Sequence, residues 1–437
     1  MTSRTSRRAS RPPLVAGEVR RDTLPGGLRV VTEQVPGSRT FSVGFFIPVG
    51  SRHESPRLGG ASHFLEHVLF KGTRRRSAEE ISIAVESVGG DLNAYTAKEH
   101  TCFYGRVVDG DAELAIDVLA DMITSSLITT TDVGSERAVI LDEIAMHADD
   151  PSEVAHEMIM TALFGNSGLG APVIGSEESI RAISRAQVAR HWARHYRPDT
   201  MVVAATGHLN HDRLLEQLGA LDAGRERTPA RPPKATVIGE QGRLLSVTRT
   251  LEQSTAVLAF AGPGVFDERR YALGLLSLIV GGGMSSRLFL EVRERRGLTY
   301  AIDAGETAYT DAGLWTVDWQ CAPERLEEIA GIVRSIVLEV AEAGVSSDEL
   351  LRAKGQMRGQ TMLGFEGPVS RMSRLGGNAL IGDERTLNDL LDRYDTVTES
   401  EVQRVAAEFF TRPPVMALVG PRVATRSLRR LLADWPN

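Results

Sequence analysis

The segment His63-Phe-Leu-Glu66-His67 gathers the side chains that hold a divalent metal and use it. On a helix, residues i and i+4 share a face, so both imidazoles can reach one ion. Glu66 lies one position from His67 and can reach a metal-bound water without being a ligand itself. Gly59-Gly60 ahead of the segment and Val68-Leu-Phe70 after it support a helix here. A catalytic zinc takes three protein ligands and keeps a fourth position open, so one ligand must come from elsewhere in the chain. The stretch from Glu136 to His147 reads as a helix with Glu136, Ile140, Glu143 and His147 along one side. Carboxylates among apolar residues are costly to bury without a partner, and a metal would be one. Spacing alone does not choose among Asp142, Glu143 and His147.

The elements that must position these groups are used twice. Val188-Ala-Arg190 to Tyr196 followed by Arg197-Pro198-x-x-Met201 resembles Val402-Gln-Arg404 to Phe410 followed by Arg412-Pro413-x-x-Met416. Ala162-Leu-Phe-Gly165 matches Ala379-Leu-Ile-Gly382, and Ala94-Tyr-Thr96 matches Ala308-Tyr-Thr310. Their shared order and nearly constant offset predict a duplication. Strands are expected at 28–35, 41–49, 101–107 and 201–206, with a capping box at Ser77-x-x-Glu80 opening a helix that stops at Gly89-Gly90. The second half repeats the pattern, with strands at 246–250, 256–260 and 415–419 and long helices from Pro323 and Ser347. Strands in adjacent runs predict an α+β fold: two α/β-roll domains, each an antiparallel-rich sheet covered by helices, facing each other as a clamshell. The expected boundaries are a basic tail over 1–15, a metal-binding domain over 16–221, an Arg/Pro/Gly-rich linker over 222–243, and a second domain over 244–437. All ten histidines fall at or before His211, and Ser277 through Gly281 stand where His63 through His67 would recur, so the metal chemistry belongs to the first half.

Gly281-Gly-Gly-Met-Ser-Ser-Arg-Leu-Phe289 lacks the spacing of a phosphate loop, which leaves a hinge or a helix start, and Arg293 and Tyr300 beyond it read on their own as structural. Glu99 and His100 read as strand-end residues rather than extra ligands.

The His-x-x-Glu-His order is that of the inverted zinc peptidases. Leu24-Pro-Gly-Gly-Leu-Arg-Val, Gly50-Ser-Arg-x-Glu54, His63 through Thr73 and Gly89-Gly-x-Leu-Asn-Ala-Tyr-Thr96 together resemble the M16 (insulinase/pitrilysin) peptidases, in their mitochondrial-processing-peptidase-like (M16B) branch. In that family a glutamate ligand follows the second histidine at a set distance, and counting 76 residues on from His67 reaches Glu143. The resemblance implies one zinc per chain on His63, His67 and Glu143, with Glu136 orienting the site and Glu66 as general base. It implies that Asn93 and Ala94 on an edge strand bind peptide by strand addition, and that Arg293 and Tyr300 bind substrate backbone. A zinc metalloendopeptidase acting on unfolded or short peptides follows, expected as a homodimer because one chain carries both motifs. The rival readings are a non-catalytic structural or partner subunit of the same fold and a chamber that only holds peptides.

Composition narrows the surroundings. At 437 residues the chain needs more than one core, and 42% hydrophobic with 24% charged residues is ordinary for a soluble globular protein. A net charge of −7 gives no nucleic-acid footprint. No apolar run is long enough for a membrane span. Two cysteines make no disulfide framework and point to a reducing compartment. The arginine-rich, acid-free N-terminus superficially resembles a mitochondrial transit peptide, but it lacks the apolar residues for an amphipathic helix. Only four of the 50 basic residues are lysine, a bias of GC-rich bacterial genomes, so the bacterial cytoplasm is expected over a mitochondrial matrix.

Overall fold

The computed structural model describes residues 17–165, 167–222 and 235–436. The tail expected over 1–15 and most of the linker expected over 222–243 lie outside the described residues.

The first half runs β1 (Glu18–Thr23), β2 (Arg29–Gln34), β3 (Thr40–Ile47), α1 (Ala61–Leu69), α2 (Ala78–Glu86), β4 (Asp91–Thr96), β5 (Thr101–Val108), α3 (Ala112–Ser125), α4 (Thr130–Asp149), α5 (Pro151–Phe164), α6 (Glu177–Ala182), α7 (Arg185–His195), β6 (Val202–Gly207) and α8 (His211–Asp222). The second runs β7 (Leu244–Thr248), β8 (Ser254–Gly262), α9 (Arg269–Val280), β9 (Ile302–Ala308), β10 (Gly313–Cys321), α10 (Leu326–Ala343), α11 (Ser347–Gly364), α12 (Pro368–Ile381), α13 (Leu387–Thr396), α14 (Glu399–Phe410), β11 (Val415–Gly420) and α15 (Arg426–Ala433). From β3 to β6 and from β8 to β11 the order is nearly the same, which is the duplication in three dimensions. The fold is α+β, two domains each with a mixed sheet plus helices. The Ser77 capping box is formed, with Glu80 N donating to Ser77 Oγ at 3.2 Å and Ser77 N to Glu80 Oε2 at 2.8 Å.

The first sheet has the order β1-β2-β6-β3-β5-β4 and the second β7-β11-β8-β10-β9. All pairs are antiparallel except β2 with β6 and β7 with β11. β7 begins two residues earlier than the sequence pattern suggests, because Leu244 pairs with Met416 of the final strand. β4 and β9 stand at equivalent free ends of their sheets, each bonded on one side only.

Alternation along the strands gives each sheet two buried faces. In the second, Ala256, Leu258, Phe260, Trp315 and Val317 pack against α9, α10 and α14, while Val257, Ala259, Ala261 and Leu314 point the other way. That other face is covered by α5, a helix of the first half, through Ala155, Ile159, Leu163 and Phe164. The exchange is reciprocal. α12, from the second half, lays Met372 and Leu375 on Val31, Phe46, Cys102, Val202 and Ala204 of the first sheet. Full burial of side chains such as Ile159, Leu163 and Phe164 contributes about 1.5–3 kcal/mol each, so the seam between the halves is a core in its own right. The halves therefore do not simply face one another as a clamshell; each is completed by a helix from the other.

A polar clamp closes the same seam. The Arg52 guanidinium pairs with Glu99 at 2.5 Å and with Asp311 of the second half at 2.7 Å. Glu99 also accepts from the Thr310 backbone N at 3.0 Å. Arg52 N donates to Lys98 O, so the clamp holds the turn that leads out of β4.

Candidate metal centre

α1 is amphipathic in a way that sorts chemistry from packing. Ala61, Phe64, Leu65, Val68 and Leu69 are buried, and His63, Glu66 and His67 share the opposite, half-open face. The helix starts abruptly because Gly60 adopts φ +85°, where a Cβ would also stand 2.5 Å from Ile174 O. The amide groups at this start are satisfied by the Glu54 carboxylate, which accepts from Gly60 N and Ser62 N at 2.6 Å each. Burial raises the Glu54 pKa against these hydrogen bonds.

α4 crosses α1 and brings Glu143 to the two histidines. Its start is capped by Thr129, whose side chain accepts from Asp132 N, and Arg137 ties it to the Ile180 and Ile183 carbonyls. Glu143 Oε1 lies 3.7 Å from His63 Nε2, and Oε2 lies 3.5 Å from His67 Nε2. One ligand atom from each of the three residues lies within 4.8 Å of the others, and this is the one such group of His, Cys, Asp and Glu among the described residues. Ligand atoms about 2.1 Å from a tetrahedral ion stand about 3.4 Å apart, so the spacing fits a zinc sphere. Glu143 Oε2 is buried with no hydrogen-bond partner, a situation a bound cation relieves, and His63 Nδ1, on the ring edge away from Glu143, is buried without a partner as well. Burial, with smaller contributions from His67 and His147, pushes the His63 pKa down to about 4, so its ring is the neutral species a metal requires.

Two further groups complete the surroundings. His67 Nδ1 stands 3.2 Å from Glu136 Oε2, and Glu136 Oε1 is 2.7 Å from Lys71 Nζ. Glu136 is 4% exposed, held between imidazole and ammonium. Glu66 accepts a hydrogen bond from Thr96 Oγ1 at 2.5 Å. Burial raises the Glu66 pKa and the Thr96 hydrogen bond opposes the rise. Thr96 ends β4, so the strand beside the cleft is tied directly to this carboxylate.

Of the sequence candidates, the structure brings together His63, His67, Glu143, Glu66 and Glu136. His147, one turn beyond Glu143, lies 3.9 Å from Glu143 Oε1 and on the other side 3.8 Å from Glu153, and Asp142 is exposed. Asn93 and Ala94 lie on edge strand β4, where the Asn93 side chain accepts from Ala94 N at 2.8 Å. Glu99 belongs to the Arg52 clamp, and His100 Nε2 is 3.2 Å from Tyr95 Oη. Arg293 and Tyr300 are elsewhere. Arg293 stacks on Phe289 and on Tyr300, and Tyr300 is 82% exposed. Leu288, Val292 and Leu298 around them pack into the face of the second sheet opposite α5. Among the described residues, no hydrogen bond, ion pair or ring contact joins either to the metal triad. Three groups escape the sequence reading: Glu54, Lys71 and the Thr96 hydroxyl. Lys71 lies two residues past the end of α1, and although all three fall within the family-like stretches 50–54, 63–73 and 89–96, nothing in their spacing points to the metal.

The profile described as insulinase (peptidase family M16) matches residues 29–177, and that described as the peptidase M16 inactive domain matches residues 182–357. A Streptomyces coelicolor protein named an uncharacterized zinc protease is 44% identical, over 93% of this chain and 90% of its own. One from Mycobacterium tuberculosis, likewise named, is 43% identical over 98% of both chains. A crystal structure of a protease from Helicobacter pylori superposes with a TM-score of 0.88 at 19% identity, covering 93% of this chain and 100% of that one.

Proposed function

The chain belongs to the M16 (insulinase) peptidase family, and from that premise we propose that it is a zinc metalloendopeptidase of the processing-peptidase-like branch, with unfolded or short peptides as substrates. The observation that carries this reading is the convergence of His63, His67 and Glu143 from two crossed helices within 4.8 Å.

In this reading His63, His67 and Glu143 hold one zinc per chain, which when bound supplies an acidified water and polarises the scissile carbonyl. Glu66 takes the proton of the attacking water and returns it to the leaving amine. Thr96 fixes one Glu66 oxygen and so aims the other. Glu136 fixes the His67 tautomer through Nδ1 and is itself neutralised by Lys71. The open edge of β4 offers Asn93 and Ala94 backbone groups to an extended peptide, which gives affinity with little demand on side-chain sequence.

Arg293 and Tyr300 lie on the outer face of the second sheet, so they serve the metal site of a second copy in a homodimer rather than their own. Mixing offers a test. Glu66→Gln and R293A chains, each inactive alone, should regain about a quarter of wild-type activity when refolded together at equal amounts, through the one competent site of the mixed dimer. No recovery removes the shared site.

The reading as a whole rests on zinc analysis and cleavage of a mixed peptide library, with and without chelator. A Glu66→Gln chain that keeps zinc and loses cleavage supports it. Peptide binding that survives chelation, with no product fragments by mass spectrometry, would instead favour a chamber that only holds peptides.

A further inference from the structure

The second half keeps the framework of the metal cleft without its ligands. α9, β9 and the α11–α12 junction stand where α1, β4 and the α4–α5 junction stand in the first half. Ser277, in the place of His63, donates to the Glu306 carboxyl and accepts from Trp315 Nε1 at 2.9 Å. The space beside them is not filled. A cavity of about 300 Å³ remains, lined by Arg270, Glu306, Arg374, Asn378, Asp383 and Arg385 among others.

Its charges do not cancel. Arg385 is neutralised by Asp383, which accepts from Nε at 2.8 Å and from Nη2 at 2.7 Å. Burial raises the pKa of Glu306, whose carboxyl is tucked against α9. Arg270 and Arg374 make no such ion pair: among the described residues neither guanidinium has a carboxylate oxygen within 4.0 Å, and Glu306 and Asp383 act on Arg270, as Asp383 and Glu33 do on Arg374, only from farther away. Arg270 Nη2 donates to Tyr271 Oη at 3.3 Å, and its Nε is buried without a partner. Arg374 Nη2 donates to the Arg385 carbonyl at 2.6 Å. Burial lowers the Arg374 pKa, against weaker raising by Asp383 and Glu33. Part-buried guanidinium groups outside an ion pair are unfavourable, and their planar forks match the oxygens of carboxylates and phosphates.

We propose that this cavity is an oxyanion site, taking a small ligand that carries carboxylate or phosphate groups, with Arg270 and Arg374 as its cation pair. It goes beyond the peptidase reading and does not depend on turnover.

The test is isothermal titration of the full zinc-loaded chain with succinate and, separately, with inorganic phosphate, anions that chelate zinc weakly, each against sodium chloride at the same ionic strength. Saturable one-to-one binding of at least one is expected, and which of the two binds tells carboxylate from phosphate. Arg374→Gln should weaken it by about tenfold or more, the loss of a charge-assisted fork. Asn378→Asp keeps side-chain size and places a carboxylate one turn from Arg374, so it should compete to a similar extent while thermal unfolding stays cooperative. Heats no different from sodium chloride for both ligands overturn the proposal. So does binding that survives either substitution unchanged. The E66Q chain serves equally well, so loss of the peptidase reading leaves the outcome intact.

Discussion

α1 and α9 open equivalent stretches of the two halves, and they have been solved in opposite ways. α1 keeps His63, Glu66 and His67 on a half-open face, with His63 Nδ1 and Glu143 Oε2 left without hydrogen bonds. In α9 the corresponding face is closed: Ser277 is 4% exposed, Val280 is fully buried, and Gly281 takes the place of His67. A Cβ at Gly281 would stand 2.4 Å from Ala304 N of β9. The chain at the end of α9 packs directly against its edge strand, where α1 keeps its polar face half-open. The comparison shows chemistry and close packing competing for one helix face, with the metal half giving up hydrogen bonds to keep the face polar and accessible.

The sharpest way to break this comparison is Glu66→Gln. Cleavage should fall by about 10²–10⁴-fold, the range for loss of a general base, while zinc content by elemental analysis stays at the wild-type level. An unchanged rate would remove Glu66 from its role. Next in size, Glu136→Gln should weaken zinc binding by about 10–100-fold in a competitive chelator titration, because the His67 ring loses its ionic partner. The exchange of helices is probed by Gly376→Ala on α12. A Cβ there would stand 2.0 Å from the Phe46 ring, and overpacking of this kind costs about 1–3 kcal/mol, read from urea denaturation.

A smaller effect concerns pH. His156 on α5 lies 2.7 Å from Asp318 on β10, and this hydrogen-bonded carboxylate, with Glu153 adding to it, raises the histidine pKa in spite of burial. The folded value is above the unfolded one, about 6.5, so the pair's stabilisation is complete below that pH and is lost as pH rises through the folded value. Denaturation midpoints of wild type and His156→Gln should therefore differ at pH of about 5.5 and converge at about 8.5; a gap that widens with pH contradicts the pairing. The smallest expected effect is none at all: S277H/G281H should still bind one zinc per chain. A second equivalent of metal would show that the closed half had kept a latent site.

Much of the site was legible because its information is local. The i, i+4 spacing of His63 and His67 needs only a helix, and the Ser77 capping box is written in four residues. The repeat in the sequence anticipated two domains of one fold, and the Ala94/Ala308 match falls on β4 and β9, although β9 and β10 themselves were not read from the sequence. What depends on packing at long range was not legible. Thr96 meets Glu66 only because β4 lies along α1, and Glu54 reaches Gly60 N only because the chain between them turns through a short helical segment at Pro56–Leu58. The apolar stripe of α5, with Ala155, Ile159 and Leu163, predicts burial but not that the sheet it covers belongs to the other half. Arg293 and Tyr300 show the same limit from the other side, since their spacing does not say where in the fold they stand relative to the metal triad.

The crossed helices α5 and α12 make the chain equivalent to a domain-swapped pair of one ancestral unit, joined end to end. Neither unit is complete within its own stretch of sequence. A fragment ending at Asp222 would carry α5 with no sheet to cover and a sheet face stripped of Met372 and Leu375, two apolar surfaces left exposed. Such fragments should be insoluble alone and recover structure on being combined, so cutting between the halves after folding leaves them entwined.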